Sequence, residues 1–372
     1  MRVVVAPDKF KGSLTAHQAA SAIADGLKRG RQDVEVHLLP IADGGDGTID
    51  TAISAGFIRV PVLASGPTGE PIQAAIAVRD GTAIVEMAQA SGMQRLPGGR
   101  PAPLTATTYG TGEMIRRALD EGITDLVLGI GGSATTDGGS GMAAALGVRF
   151  LDNDGSELPP GGAALSRLSR IDVSALDPRV AIVRVIVATD VDNPLFGPTG
   201  AAYVYGPQKG ATPNDVQALD AGLRHYAEVV LRDAGLDVST IPGAGAAGGL
   251  GAGAMAFLGA TPRSGIQLLL ELVQFDQALA DADLVITGEG CFDSQSLHGK
   301  AVMGVASAAA AAGVPVVVLA GQVRLSTVEV RGAGFLAAHA LTELETDPDR
   351  CLADATRLLA SLAAGVATSW VA

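Results

Sequence analysis

Hydrophobic residues in this chain fall into short, unbroken runs, and each run stops at a cluster of polar residues. Residues 2–6, 34–39, 283–287 and 314–320 are Val-, Ile-, Leu- and Ala-rich stretches of strand length, and all but 34–39, which Glu35 and His37 interrupt, have the pattern of strands covered on both faces. Residues 15–29 and 299–312 between them read as helices, with Thr15 placed to cap the first. Residues 334–341 continue the alternation. Strand–helix–strand order at both ends predicts one parallel-sheet domain built from residues 1–60 and 283–372, with an α/β domain, residues 61–282, inserted into it. In the insert, 57–63, 72–78 and 82–87 read as an antiparallel meander, with turns at Gly66-Pro67-Thr68-Gly69 and Arg79-Asp80-Gly81. A helix over 110–121 and strands over 125–130 and 183–189 follow. The most apolar stretch, 305–320, is divided by Gly313 and Pro315 into a helix and a strand, so it is not a membrane span.

The polar clusters carry the candidate chemistry. The run ending at Ile130 leads straight into Gly131-Gly132-Ser133-Ala134-Thr135-Thr136-Asp137-Gly138-Gly139, and 141–146 beyond it reads as helix. Glycines let backbone N–H groups approach a ligand, and hydroxyls add donors, so this loop is either a phosphate cradle or a surface turn. The same grammar recurs at Asp8-Lys9-Phe10-Lys11-Gly12-Ser13, at Asp43-Gly44-Gly45-Asp46-Gly47-Thr48, at Asp190-Val191-Asp192-Asn193 and at Gly288-Glu289-Gly290. In open α/β sheets the ligand crevice lies at the carboxyl ends of strands, so five such loops point to one shared site, expected in the crevice between the two domains. Gly243-Ala244-Gly245-Ala246-Ala247-Gly248 matches G-x-G-x-x-G, but no good strand precedes it and no acidic residue follows about 20 positions on, which argues against a nicotinamide site. The segment is either a tight packing element or a second phosphate contact. No G-x-x-x-x-G-K-[ST] occurs.

These motifs, in order, together with Leu195, Gly197-Pro198, Gly206-Pro207-Gln208-Lys209-Gly210 and Asp293-Ser294-Gln295-Ser296, resemble those of bacterial class I glycerate kinases over essentially the whole chain. The resemblance implies two α/β domains, one a discontinuous parallel-sheet domain of flavodoxin/Rossmann-like type with the second inserted into it. It implies ATP-dependent phosphorylation of D-glycerate, at the 2-hydroxyl, with the 3-hydroxyl as the alternative product. One departure falls at Cys291, where the family usually has an Arg. A non-catalytic nucleotide-binding protein is the reading from a different class.

Phosphoryl transfer needs Mg²⁺ on the nucleotide phosphates, cations on the moving phosphoryl and a base at the acceptor hydroxyl. Lys9 is the leading cation, for the phosphoryl or the glycerate carboxylate, with Lys11 and Lys300 beside it. Asp190 or Asp293 is expected to take the hydroxyl proton. Asp190 with Asp192 is the expected Mg²⁺ pair, since that ion takes only one or two protein carboxylates. Asp8, Ser13, Asp43, Gly44, Gly45, Asp46, Gly131, Gly132, Ser133, Thr136, Asp137, Glu289 and Ser294 complete the expected substrate and nucleotide contacts.

Composition removes other classes. With 372 residues and a net charge of −13, the chain is long enough for two cores and too acidic for nucleic acid or an anionic membrane. Two cysteines are no disulfide framework, and no basic n-region precedes the first strand, so a cytoplasmic enzyme is expected. The five histidines lack zinc-ligand spacing, and only His298 lies beside a motif.

Overall fold

The computed structural model describes residues 1–42, 45, 47–297 and 301–369. The chain divides into two compact units: residues 1–43, 50–55 and 266–372 form the first, and 44–49 and 56–265 the second.

The first unit is built on a parallel sheet of five strands, β1 (Arg2–Pro7), β2 (Glu35–Leu38), β3 (Leu284–Gly288), β4 (Val316–Ala320) and β5 (Ala337–Ala340). Their spatial order is 2-1-3-4-5, all pairs parallel, with Val3 opposite both Val36 and Leu284. This is the doubly wound order of flavodoxin type, whose direction reverses between β1 and β3. Central strands are apolar throughout because helices cover both faces: Val3, Val5, Leu284 and Ile286 meet the helices Ala16–Gly30 and Ala355–Ser369, while Val4, Val285 and Val318 face Ala301–Ala311. Those first two helices approach so closely that a Cβ on Gly26 would lie 2.1 Å from the Ala360 carbonyl oxygen, so small residues line the seam. Thr15 caps Ala16–Gly30 in a capping box with Gln18.

Residues 266–282, expected in the insert, instead belong to this first unit. Ile266, Leu270, Val273, Phe275 and Leu279 complete the core under Val4 and Val285, and burying them is what fixes their allegiance. Residues 56–60 correspondingly lie in the second unit.

The second unit holds a six-stranded mixed sheet in the order Thr261–Arg263, Arg184–Ala188, Asp125–Gly129, Thr82–Glu86, Pro71–Arg79 and Ile58–Ser65. The first four run parallel, and the last two add the antiparallel meander. Met114, Leu126, Leu128, Val187 and Leu250 lie in its core. A second core gathers around Phe150, Leu219, Tyr226 and Phe257, where the long helix Pro213–Ala234 packs. No described helix is long and apolar enough to cross a membrane.

Candidate functional site

In the first unit the exits of β1, β3 and β4 meet through backbone. Pro7 pairs with Gly288, and the Asp8 N–H donates to the Gly288 carbonyl at 2.8 Å. A Cβ on Gly290 would lie 3.1 Å from the Lys11 nitrogen, and one on Gly321 would lie 2.4 Å from the Gly290 oxygen. Glycine is therefore required at position 321, and the contact at Gly290 is tight. Phe10, buried in the core, anchors the first loop from below and leaves Lys9 half-buried and Lys11 exposed on either side. Ser13 donates to the Phe10 carbonyl, so its hydroxyl closes the turn. The Asp8 carboxylate accepts the Lys9 N–H at 2.7 Å.

The loop after β3 continues the same surface. Glu289 is mostly buried, and its carbonyl accepts the Gly321 N–H. Cys291-Phe292 pairs in parallel with Gln322-Val323, and the Arg324 N–H donates to the Phe292 carbonyl at 2.9 Å. Burial pushes the Cys291 thiol up, while the nearby Arg324 charge opposes that shift. Asp293 folds the following turn: its Oδ1 accepts from the N–H groups of Gln295 and Ser296, and its own N–H donates to Ser296 Oγ. Ser294 is exposed beside it. This cluster sits between β1 and β3, at the switch point where doubly wound sheets bind ligands. Arg324 is a cation the sequence reading passed over, although 316–320 followed by Gly321-Gln322-Val323-Arg324 has the strand-then-polar grammar used elsewhere.

In the second unit the Gly131–Gly139 loop departs from its expected role. Only Gly131 and Gly132 reach solvent; Ser133 is nearly buried, and Thr135, Thr136 and Asp137 are completely so. The helix beyond, Ser140–Ala145, has six residues, and the N–H groups at its start, from Gly139 to Ala143, are already taken. Asp137 accepts from the backbone N–H of Thr108, Gly139 and Gly141 at 2.8, 3.2 and 3.3 Å, and from the hydroxyls of Thr107 and Thr108 at 3.3 and 2.9 Å. The protein's own carboxylate fills the anion position, as a helix N-terminus favours. A Cβ on Gly141 would lie 2.9 Å from Asp137 Oδ2, which is why glycine stands there. Burial pushes the Asp137 carboxyl up, against the pull of these donors.

Lys209, absent from the expected site, is equally sealed. Its Nζ donates to the Thr135 carbonyl at 2.6 Å, and burial pushes its pKa down to about 7 against the opposing attraction of Asp137. Glu86 is a second buried charge missed in the sequence: it ends its strand opposite Gly129 and accepts the Ile49 N–H at 3.0 Å. Behind the loop, Gly243–Gly253 is a packing element. Gly138 donates to the Gly248 carbonyl, and a Cβ on Gly248 or Gly253 would lie 2.0 Å from the Thr135 oxygen or 2.6 Å from that of Gly138.

Asp190 and Asp192 are exposed at the exit of Arg184–Ala188, and Asp190 Oδ1 accepts from the Ser264 hydroxyl and the Gly265 N–H. Gly45 is buried, its carbonyl accepting from Thr48. Asp43, Gly44, Asp46, His298 and Lys300 lie outside the described residues.

A doubly wound sheet with a charged switch point is the arrangement in which α/β enzymes bind small molecules. The chain belongs to the glycerate kinase family, whose model matches residues 3–371. It is 46% identical to a glycerate kinase of Halalkalibacterium halodurans over 99% of this chain and 98% of that one. It is also 46% identical to the glycerate 2-kinase of Escherichia coli, over 87% and 85% of the two chains. A crystal structure described as a candidate glycerate kinase 2 from Salmonella typhimurium superposes with a TM-score of 0.85 at 41% identity, covering 99% and 98% of the chains.

Proposed function

We propose that this protein is a cytoplasmic ATP-dependent kinase that phosphorylates D-glycerate at the 2-hydroxyl, giving 2-phosphoglycerate. The observation that carries this reading is full-length membership of the glycerate kinase family, including 46% identity to a glycerate 2-kinase. The cluster at the β1/β3 switch point supports it.

In the reaction the glycerate hydroxyl oxygen attacks the γ-phosphorus, the bond from that phosphorus to the ADP oxygen breaks, and the hydroxyl proton passes to a carboxylate. Lys9, held between the buried Phe10 and Asp8, neutralises charge on the phosphoryl or the substrate carboxylate, with Lys11 and Arg324 adding positive potential. Asp293 or Asp190 accepts the proton. Each is oriented through Oδ1, by Gln295 and Ser296 or by Ser264 and Gly265. Among the described residues no three carboxylates, histidines or cysteines gather into a metal cage. The exposed oxygen donors of Asp190 and Asp192 suit a hard cation held chiefly by nucleotide phosphates and water. When bound, Mg²⁺ would offset the charge that develops on those phosphates.

The test is glycerate-dependent ADP release, with the product identified by ³¹P NMR. A 3-phosphoglycerate signal overturns the assigned position. Tight ATP binding without glycerate-dependent ADP overturns the kinase reading in favour of a nucleotide-binding protein.

A further inference from the structure

Lys209 has no part in that reaction scheme, yet a lysine sealed from water requires a reason, because burying an ammonium is costly unless it is paired. Its Nζ gives one hydrogen bond to the Thr135 carbonyl, at the centre of the Gly131–Gly139 loop. Asp137 attracts the Lys209 charge, and it also acts on Tyr226, whose phenol is pushed up by burial and by Asp137. Among the loop's own side chains, Asp137 anchors the second half through its five hydrogen bonds. The hydroxyls of Thr135 and Thr136, and that of Tyr226, are buried with no hydrogen-bond partner among the described residues. The loop's backbone bonds include those from Ala134 to Ser91, from Met93 to Gly132, from Gly138 to Gly248, from Ser140 to Asp137 and from Ala143 to Gly139. Between Ala134 and Gly138, among the described residues, the Thr135 carbonyl is the point at which a side chain from outside the loop grips its main chain.

We propose that Lys209 is a positioning residue for the tip of this loop, Gly131 to Ser133, whose two glycines reach solvent: by gripping the Thr135 carbonyl against the Asp137 charge it fixes where the tip's N–H groups and the Ser133 hydroxyl meet substrate or nucleotide. This rests on the reading of the protein as a glycerate kinase whose Gly131–Ser133 tip is ligand surface. The lysine itself touches no ligand.

Two variants separate the possibilities, each assayed well below its melting temperature. Lys209→Met keeps the side-chain length and removes the donor. Displacing the tip raises the KM for ATP or glycerate by roughly tenfold or more, since small misplacements of binding groups are costly. A purely structural lysine gives fewer active molecules, so apparent kcat falls and both KM values stay; that result overturns the proposal. Ser133→Ala tests the underlying reading. If it raises a KM while Lys209→Met does not, the tip is ligand surface and the positioning role is wrong. If Ser133→Ala leaves both constants within about twofold, the tip is not ligand surface, and the positioning role falls with it. Should Lys209→Met fail to fold, Asp137→Asn/Lys209→Met removes both charges together: a raised KM in it supports the proposal, and wild-type KM values overturn it.

Discussion

Two loops with the same sequence grammar, an apolar strand followed by glycine, hydroxyl and charge, have opposite fates in this molecule. At the β1 exit, Lys9 is half-buried and Lys11 exposed, while Phe10 takes the buried position between them. At the exit of Asp125–Gly129, Thr135, Thr136 and Asp137 are fully enclosed, and only Gly131 and Gly132 reach water. The difference lies in what satisfies the backbone donors. In the second loop Asp137 turns back and takes the N–H groups of Gly139 and Gly141 itself, so the start of the helix beyond needs no anion from outside. In the first, β1 and β3 stay paired to Pro7 and Gly288, and the helices that follow them, Ala16–Gly30 and Ala301–Ala311, cover opposite faces of the sheet, the arrangement that leaves a crevice at the switch point. A glycine-rich loop after a strand thus marks an anion-binding geometry without saying whether the anion is a ligand or the chain's own carboxylate.

On that contrast, substitutions in the enclosed part of the second loop, Ala134 to Gly139, act on stability, and those in the open loop act on turnover. The largest effect is expected for Asp137→Ala. It strips the acceptor from five donors and leaves Lys209 facing no opposite charge, a loss of about 3–5 kcal/mol. The urea midpoint measures it, and a variant within about 1 kcal/mol of wild type would break the comparison. Next is Lys9→Ala, expected to lower kcat/KM by roughly 10² or more with the melting temperature unchanged. Activity within about threefold of wild type would remove Lys9 from the site.

A third, smaller effect is set by pH. Lys209 titrates near 7 in the folded protein and at its ordinary value of 10.5 when unfolded. Between those values the unfolded chain binds more protons, so this group makes stability rise with pH by up to about 1.4 kcal/mol per unit. The cost of burying the charge is present in full below pH 7. Stability of wild type relative to Lys209→Met is therefore expected to increase from pH 7 to pH 9. Parallel curves would show that Asp137 holds the lysine charged throughout.

The strands at the β1/β3 switch point were legible because central parallel strands are apolar on both faces, and the meander because its turns carry Gly, Pro and Asp. Pairing order was not, since it is decided by contacts between residues hundreds of positions apart, such as Val3 with Leu284. The apolar face of 266–282 was visible, but a periodic pattern does not say which core it fills. Lys9 announced itself by following a strand. Lys209 stood in a motif with nothing to distinguish a buried ammonium from a solvated one, and Glu86 closes its strand without any loop motif. The burial of Asp137 was invisible for a similar reason: its donors Thr107 and Thr108 lie about thirty residues earlier in the chain.

The smallest expected effect provides the control. Thr15 begins the helix Ala16–Gly30 directly after the Lys9 loop, and its hydroxyl accepts the Gln18 N–H while Gln18 returns the bond to the Thr15 N–H. Thr15→Ala removes one of the two reciprocal bonds at an exposed helix start, a cost of about 1 kcal/mol. The loop itself is anchored independently, by Phe10 in the core and by backbone bonds between Phe10 and Leu14. Stability is therefore expected to drop slightly while kcat/KM stays within about twofold of wild type. A fall in activity approaching that of Lys9→Ala would mean that the helix start, rather than the Phe10 anchor, sets the position of Lys9. The open loop would then depend on its scaffold as closely as the enclosed loop depends on Asp137.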